Sequence, residues 1–440
     1  MEILALLMFV VLVALLIMGY PVAFTLGAVA MLFGGIWLGM DFFSLLPLRI
    51  WGIMTNFTLL AVPLFVFMGV ILDKSGIAEE LLETMGRLFG RLRGGLAVSI
   101  VAVGALLAAT TGVVGATVVT MGVIALPAML KHGYKPELAT GTIAASGTLG
   151  QIIPPSIILV LLGDVIGVPV GQLFIGAVTP GIILILLFMI YILTVAWLRP
   201  EVAPSLARRS ENDGKEQFVP IVKSLLPPLF LVFAVLGSIF FGVASPTESA
   251  AFGAIGALIL AALHHKLTLK NLNDAMRQTT RLTSMVFLIL IGATAFGLVF
   301  RGMGGDTLVH NIMTNLPGGV WGFLVVSMLI IFILGFFLDF LEICFIVVPI
   351  LAPIAQHLGI DLLWFAVLIA VNLQTSFLTP PFGFSLFYLK AAAPSEVTIN
   401  HIYKGIIPFV FIQGFTIVLL ILFPQYALWL PHMMDKIQGF

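Results

Sequence analysis

The chain is a series of long apolar runs separated by short polar segments, and this pattern restricts it to a membrane fold. Hydrophobic residues make up 61% and charged residues 9% of its 440 positions, whereas soluble domains carry about 25% charged residues. A spanning helix needs about 20 apolar residues, so the length has room for roughly ten to twelve crossings. We therefore predict an all-α polytopic membrane protein with no soluble catalytic domain.

The remaining composition excludes several classes of function. Lys plus Arg and Asp plus Glu number 20 each, so no charge imbalance favours a nucleic acid partner. The single cysteine, Cys344, excludes an internal disulfide and a Cys-rich metal or redox centre. The His residues lack metal-binding spacing, and no Walker Gly-Lys loop occurs, so we expect neither a metal cofactor nor direct use of ATP.

Proline and glycine positions indicate an internal repeat. Four positions recur as the same residue type 226 residues later: Pro127, Gly133, Pro154 and Pro155 match Pro353, Gly359, Pro380 and Pro381. We predict a first repeat over 1–198, a polar cytoplasmic linker over 199–219 and a second repeat over 220–440. Repeats of this size are typical of transporters, in which two pseudo-equivalent units expose one site alternately. Duplication without alternating access is the alternative.

Each repeat contains one apolar run that is too long for a single span. The run 96–130 has no charged residue, a centre rich in Thr and Gly, and basic residues at both flanks. Because basic flanks stay in the cytoplasm, we predict a re-entrant hairpin with its tip within 108–117. Its counterpart, 318–357, is expected to form a second hairpin that opens on the other face, with its tip near 338–342.

Charge also predicts the orientation of the two repeats. Five full spans and one hairpin give each repeat an odd number of crossings, so the second repeat must be inverted relative to the first. With the central linker in the cytoplasm, every Lys and Arg except Arg49, Arg301 and Lys436 falls on the cytoplasmic side, as the positive-inside rule requires. Both termini are then expected on the periplasmic side.

The segment after each hairpin has the pattern of a membrane helix broken midway. The first, 137–163, contains AASGTLGQIIPPS, and the second, 361–389, contains NLQTSFLTPPFGF. A Pro-Pro pair removes two backbone donors and frees carbonyl groups, which is tolerated at membrane depth only against protein or a water-filled cavity. Paired breaks at equivalent positions therefore predict the binding site, and a merely kinked helix is the alternative.

The hairpin tips should approach these breaks. Helix termini at the tips would aim N–H groups at an anionic substrate without a buried Lys or Arg. At the second tip, Asp339 and Glu342 are carboxylates that could serve as a cation ligand, a proton carrier or a gate. The alternative is a shallow hairpin that leaves both carboxylates in water.

Three further features predict structural roles. Glu248 follows Ser245 and Pro246 at a helix start, where we interpret it as a cap rather than a ligand. The segments 75–93 and 267–281 are amphipathic, with apolar stripes and basic ends, and we expect helices lying along the membrane surface. Ordinary loop helices are the alternative for both.

Four motifs give the chain a resemblance to a known family. They are TTGVVGATVVTMGVIALPAML (110–130), GTLGQIIPPS (147–156), ASPTESAAFGA (244–254) and LTPPFGFSLF (378–387). Together they resemble the large membrane subunit of the tripartite ATP-independent periplasmic (TRAP) transporters of the C4-dicarboxylate type. The resemblance implies an elevator-type secondary transporter with Na⁺ coupling. It also implies two partners, a small four-helix membrane subunit and a periplasmic binding protein that delivers an anionic substrate.

The resemblance also implies site residues. The first sodium region corresponds to the tip 110–112 with 147–151, the second to 338–342 with 374–379, and the substrate lies between them. The implied sodium residues are Thr111, Gly112, Gly147, Gly150, Leu338, Glu342, Gln374 and Thr379. The candidate substrate-binding residues are Thr110, Thr111, Gly112, Thr148, Gln151, Pro154, Gln374, Thr375, Thr379 and Pro380.

The leading hypothesis is uptake of a dicarboxylate, or of a related carboxylate or sugar acid, across the bacterial inner membrane, driven by the Na⁺ gradient. A stand-alone ion-coupled carrier or cation/proton antiporter is the alternative, in which Asp339 and Glu342 would be essential and a delivery protein unnecessary. An intramembrane enzyme would need a Ser/Lys, Ser/His or paired-Asp constellation, and the sequence shows none.

Overall fold

A computed structural model describes residues 2–89, 92–111, 114–205, 218–381 and 383–438. In these ranges every regular element is a helix. The first half contains α1 Glu2–Ile17, α2 Val22–Trp37, α3 Leu46–Met54, α4 Ala61–Lys74, α5 Ile77–Phe89, α6 Gly95–Thr111, α7 Val114–Lys131, α8 Pro136–Thr148, α9 Ile157–Ile166 and α10 Val170–Leu198. The second half contains α11 Phe218–Phe240, α12 Pro246–Leu263, α13 Leu269–Gly302, α14 Gly305–Thr314, α15 Val320–Leu334, α16 Phe340–His357, α17 Leu362–Leu378, α18 Phe384–Ala392, α19 Ile399–Leu422 and α20 Gln425–Gln438.

The helices make this a multi-pass membrane protein, although many of them are short. Among the described residues, six helices are long and apolar enough to cross a membrane, or seven if the bent pair Met40–Met54 and Thr58–Lys74 counts as one span. This is fewer than the ten to twelve crossings that the apolar runs predict. The difference lies in length, since an apolar helix of 16 residues such as α1 reaches about 24 Å of a core that is about 30 Å thick.

Helix boundaries recur at the offset found in the sequence. Val114–Lys131 and Phe340–His357 begin and end 226 residues apart, and α8 and α17 begin at Pro136 and Leu362 with the same spacing. Residues 206–217 of the predicted linker lie outside the described residues. The exact extents of the two repeats stay predictions.

The two halves interlock through pairs of helices in which one helix comes from each half. Helix α2 packs against α13, and its repeat equivalent α12 packs against α4. In the same way α7 packs against α18, and its equivalent α16 packs against α9. A two-fold relation between the halves produces pairs of this kind, so each half completes the packing of the other.

Both hairpins and both helix breaks form where the sequence predicts them. Helices α6 and α7 pack on each other and are joined through 112–113, which lie outside the described residues. Helices α15 and α16 are joined by 335–339, and α16 contains one π-helical turn, Ile343–Val347. The breaks separate α8 from α9 and α17 from α18. The chain therefore has the two helical hairpins and two broken helices of the predicted fold class.

The prediction of a separate surface helix over 267–281 is wrong. Residues 269–281 form the first part of α13, which runs without interruption for 34 residues. No Gly or Pro lies between Arg281 and Met285, so nothing ends the helix where the polar residues give way to apolar ones. By contrast, Gly76 adopts φ +74° and separates α4 from α5, which is a distinct helix as predicted.

The capping role predicted for Glu248 is confirmed. The Ser245 backbone N–H donates to Glu248 Oε2 at 2.8 Å, and the Glu248 backbone N–H donates to Ser245 Oγ at 3.3 Å. This reciprocal pair is a capping box at the start of α12. The Glu248 carboxylate therefore accepts a backbone hydrogen bond at the start of the helix, as a structural cap does.

Helix α8 and helix α19 cross at two glycines. A Cβ atom on Gly405 would overlap the carbonyl oxygen of Glu137, and one on Gly141 would overlap the carbonyl oxygen of Gly405. The backbones approach this closely because neither residue has a side chain. This crossing fixes the position of the first broken helix within the bundle.

We expect Gly405→Ala to destabilise the protein by about 1–3 kcal/mol, because the added methyl group forces the two backbones apart. Gly414→Ala is the matched control, since it lies on the same helix and its Cβ would meet nothing within 4 Å. The check is the thermal unfolding midpoint of each variant in detergent. Equal midpoints for the two variants would contradict the crossing.

Candidate functional site

The two helix breaks have the same local structure. Helix α8 ends at Thr148 and is followed by a 3₁₀ turn, Leu149–Gln151, and then by the Pro154-Pro155 pair. Helix α17 ends at Leu378 and is followed by the Pro380-Pro381 pair. Both Pro-Pro peptide bonds are cis. Because proline has no N–H, the last turn before each pair keeps carbonyl groups without helical partners.

Thr148 and Gln374 bring the two breaks together. Gln374 Nε2 lies 3.4 Å from Thr148 Oγ1, and the two residues are 226 positions apart, which makes each the repeat equivalent of the other. A residue that contacts its own equivalent lies next to the axis that relates the repeats. Thr148 and Gln374, which are both among the predicted substrate-binding residues, therefore lie at the centre of the interlocked halves.

Unpartnered amide groups surround this contact. Gln151 is fully buried, and neither its Nε2 nor its Oε1 has a hydrogen-bond partner among the described residues. Gln374 Oε1 is likewise buried without a partner there. Buried polar groups are normally paired with protein or with ordered water, and a binding site for a polar ligand or ion is a common exception. The centre thus offers one amide donor and two amide carbonyl acceptors.

The hydroxyl groups of the second break are held by their own helix. Thr375 Oγ1 donates to the Val371 carbonyl at 2.8 Å, and Thr379 Oγ1 donates to the Thr375 carbonyl at 2.7 Å. Because each hydroxyl already donates its proton to a carbonyl group, its oxygen can act toward a ligand only through its lone pairs. Such oxygens suit a cation rather than an anion.

The first hairpin packs directly on the first break. A Cβ atom on Gly150 would contact Ala108 at 3.4 Å, and one on Gly147 would overlap the side chain of Val118. The hairpin and the break that supply the first predicted sodium region are therefore adjacent. The side chains of Thr110 and Thr111 and the whole of Gly112 lie outside the described residues, so their roles stay predictions.

The second hairpin packs on the second break in the same way. A Cβ atom on Gly335 would overlap Oγ of Ser376, which is the repeat equivalent of Gly150. Asn372 Nδ2 donates to the Met328 carbonyl at 2.7 Å and joins α17 to α15. In each repeat one of the two facing residues is a glycine, on the broken helix in the first and on the hairpin in the second.

The acidic residues of the second tip form a helix cap. Phe340 N–H donates to Asp339 Oδ1 at 2.7 Å, and Asp339 N–H donates to Glu342 Oε2 at 3.2 Å. Glu342 is 5% exposed and Leu338 is 1% exposed, whereas Asp339 is half-buried. Both carboxylates thus have a structural role, and their proposed roles toward a cation stay predictions.

Sequence reasoning missed a buried polar residue on a helix that packs against both broken helices. Gln413 is fully buried in α19, and neither of its amide atoms has a partner among the described residues. Helix α19 packs against both α8 and α17, which lead to the two breaks. The available signal was a glutamine within an otherwise apolar stretch of a 24-residue helix.

These features define a class of protein. A multi-pass helical bundle with two structural repeats, two hairpins and two broken helices that meet at a polar centre is the architecture of a secondary transporter. Its centre contains buried amide and hydroxyl groups, and this architecture makes the protein a transporter component.

The family follows from comparison with known proteins. Residues 9–426 match the family model described as "Tripartite ATP-independent periplasmic transporter, DctM component", and the chain belongs to this family. It is 31% identical over 390 residues to the C4-dicarboxylate TRAP transporter large permease protein DctM of Pseudomonas aeruginosa, covering 88% of this chain and 89% of that one. It is 30% identical over 423 residues to the sialic acid TRAP transporter large permease protein SiaM of Vibrio cholerae, covering 95% and 96%.

The fold is also similar to a solved structure. The crystal structure of the Alcanivorax borkumensis YdaH transporter, which has an unusual topology, matches with a TM-score of 0.63. The match covers 97% of this chain and 98% of that one, at 13% sequence identity. At this identity the likeness concerns the fold alone.

We expect Gly335→Ala to reduce stability and the added change Ser376→Gly to restore it. The single variant places a methyl group against Ser376 Oγ, at a typical cost of about 1–3 kcal/mol. The double variant recreates the arrangement of the first repeat, in which an alanine of the hairpin faces Gly150. Unfolding midpoints of the wild type, both single variants and the double variant form the measurement. Additive losses would show that the hairpin does not rest on the break at this position.

Proposed function

We propose that this chain is the membrane subunit through which an organic anion, a dicarboxylate or a related carboxylate, enters the cell across the inner membrane with Na⁺. The observation that carries the proposal is the contact between Gln374 and Thr148, which lies three positions before Gln151; the buried amide of Gln151 has no hydrogen-bond partner in the part of the chain that the structure describes. Amide N–H groups bind carboxylate oxygens, and amide and backbone carbonyl oxygens bind Na⁺. A centre that offers both, with no Lys or Arg buried among the described residues, suits co-transport of an anion with sodium.

An elevator mechanism fits the grouping of the helices. Helices α2, α4, α12 and α13 pack on one another, while the hairpins and broken helices pack together around the polar centre. Two polar contacts join the groups: Asn56 Nδ2 donates to Asp164 Oδ1 at 2.6 Å, and Thr120 Oγ1 donates to Asp73 Oδ1 at 3.3 Å. We propose that the group holding the site slides against the other group and carries the substrate with it.

The partners in this proposal come from the family. Its transporters are tripartite and periplasmic by description, which supports a small membrane subunit and a periplasmic binding protein beside this chain. The named relatives act on C4-dicarboxylates and on sialic acid, which are all carboxylates. A site built of amides, hydroxyls and backbone groups recognises a carboxylate as a class, so we propose that the binding protein sets the finer selectivity.

Uptake of a radiolabelled dicarboxylate into proteoliposomes tests the proposal. The vesicles contain this chain with its small subunit, and uptake is measured with and without an inward Na⁺ gradient and a cognate binding protein. We expect accumulation only when both are present. Uptake that is equal with and without the binding protein would instead support a stand-alone ion-coupled carrier. In such a carrier Asp339 and Glu342 would be the central residues.

We expect Gln151→Leu to reduce Na⁺-driven uptake at least tenfold while leaving the unfolding midpoint equal to that of the wild type or higher. The reason is that the substitution removes two buried polar atoms that have no hydrogen-bond partner among the described residues, and such atoms cost about 1–3 kcal/mol each. Gln356→Leu, at an exposed position of α16, is the matched control and should leave uptake unchanged. Full uptake by the Gln151 variant would remove this residue from the proposed site.

A further inference from the structure

One cavity of the structure lies apart from the transport chemistry. It is an open cleft of about 500 Å³ between the first turn of α8, the end of α10 and the first turns of α19. We name it the basic cleft and define it by Lys135, Glu137, Tyr191, Arg199 and Lys404. Helix α8 has 13 residues, so the cleft lies about 20 Å from the break at the other end of that helix. It is therefore separate from the proposed transport site.

Backbone hydrogen bonds hold the cleft in shape. The Lys135 N–H donates to the Val202 carbonyl at 3.0 Å, and the Gly94 N–H donates to the Ala203 carbonyl at 3.0 Å. Val202 and Ala203 are buried, so the segment that follows α10 is folded back against the start of α8. The cleft is thus a built feature of the fold and not a gap beside a loose loop.

The electrostatics of the cleft favour an anion. Three cationic side chains, those of Lys135, Arg199 and Lys404, face one carboxylate, that of Glu137. All three cations are exposed, and no ion pair joins them to an acid within the described ranges. Helix α8 begins here with Lys135 at its N-cap and without a side-chain cap, and Glu137 and Leu138 of its first turn line the cleft, so the positive end of the helix also favours an anion there.

The surroundings of the cleft favour a lipid over a free ion. Beside it, the last turn of α10 exposes Trp197 at 76% and Leu198 at 64%, and Leu198 also lines the cleft. Further along α19, Phe411 is 73% exposed. A tryptophan at the end of a membrane helix typically lies at the headgroup level, and the apolar faces of α10 and α19 continue from there toward the acyl chains.

We infer that the basic cleft binds the phosphate headgroup of an anionic phospholipid, whose acyl chains lie along α10 and α19. The inference rests on the charge pattern that assigns Lys135, Arg199 and Lys404 to the cytoplasmic side, where the leaflet is anionic. Each basic residue at such a surface strengthens binding about fivefold. The inference of a lipid site is independent of which substrate the protein transports.

Native mass spectrometry of the detergent-solubilised full chain tests this site. The chain is titrated with phosphatidylglycerol, with phosphatidylcholine and with inorganic phosphate, and the bound fraction is followed for each. We expect retained phosphatidylglycerol in preference to phosphatidylcholine. The variant Arg199→Gln with Lys404→Gln should bind phosphatidylglycerol about 25-fold more weakly, as the loss of two cations predicts.

The matched control is Lys270→Gln with Arg281→Gln. It also removes one Lys and one Arg charge, but from exposed positions of α13 outside the cleft. It should bind phosphatidylglycerol as the wild type does. An equal loss of phosphatidylglycerol binding in the control would show that the effect depends only on the total charge of the protein, and it would overturn the site. Inorganic phosphate bound as tightly as phosphatidylglycerol would identify a free-anion site and overturn the lipid proposal, as would equal binding of the two lipids.

Discussion

The structure depends on the need to pair every backbone N–H and C=O group that lies away from water. The Pro-Pro pairs at 154–155 and 380–381 interrupt this pairing twice, at equivalent places in the two repeats. Each hairpin packs on the break of its own repeat, and a glycine, Gly150 or Gly335, permits the close approach. The first break is thereby enclosed by protein, with Pro154 and Pro155 both buried, whereas the second is enclosed up to Leu378 and opens at Pro381, which is exposed.

The interlocking of the repeats explains why the polar centre belongs to one group of helices. Each hairpin packs on its own break and also on the second half of the other broken helix, as the pairs α7 with α18 and α16 with α9 show. No hairpin can therefore shift far without moving both breaks. The contact between Thr148 and Gln374 at the centre joins the two broken helices directly, so the site is suited to move as one body.

The sequence predicts the hairpins and the breaks well because their signals are local. Pro-Pro pairs, charge-free runs and a constant offset depend on neighbouring residues or on duplication, and none requires knowledge of packing. The position of Gln413 and the contacts of Asn56 with Asp164 and of Thr120 with Asp73 could not be predicted in this way. These depend on which distant helices meet. The continuous α13 shows the converse limit, since a change from polar to apolar residues does not end a helix unless a breaker is present.

Helix α8 connects the two proposed sites, because its first turn lines the basic cleft and its last turn enters the transport site. The cleft lies among α8, α10 and α19; α8 belongs to the group that we propose to slide, and α19 packs against α8. A lipid held there would move against the surrounding bilayer whenever the group moves, because the headgroup layer stays in place while the cleft shifts. The lipid contact would then differ in free energy between the two ends of the movement. Through that difference the charge of the cytoplasmic leaflet would bias which side of the membrane the transport site faces.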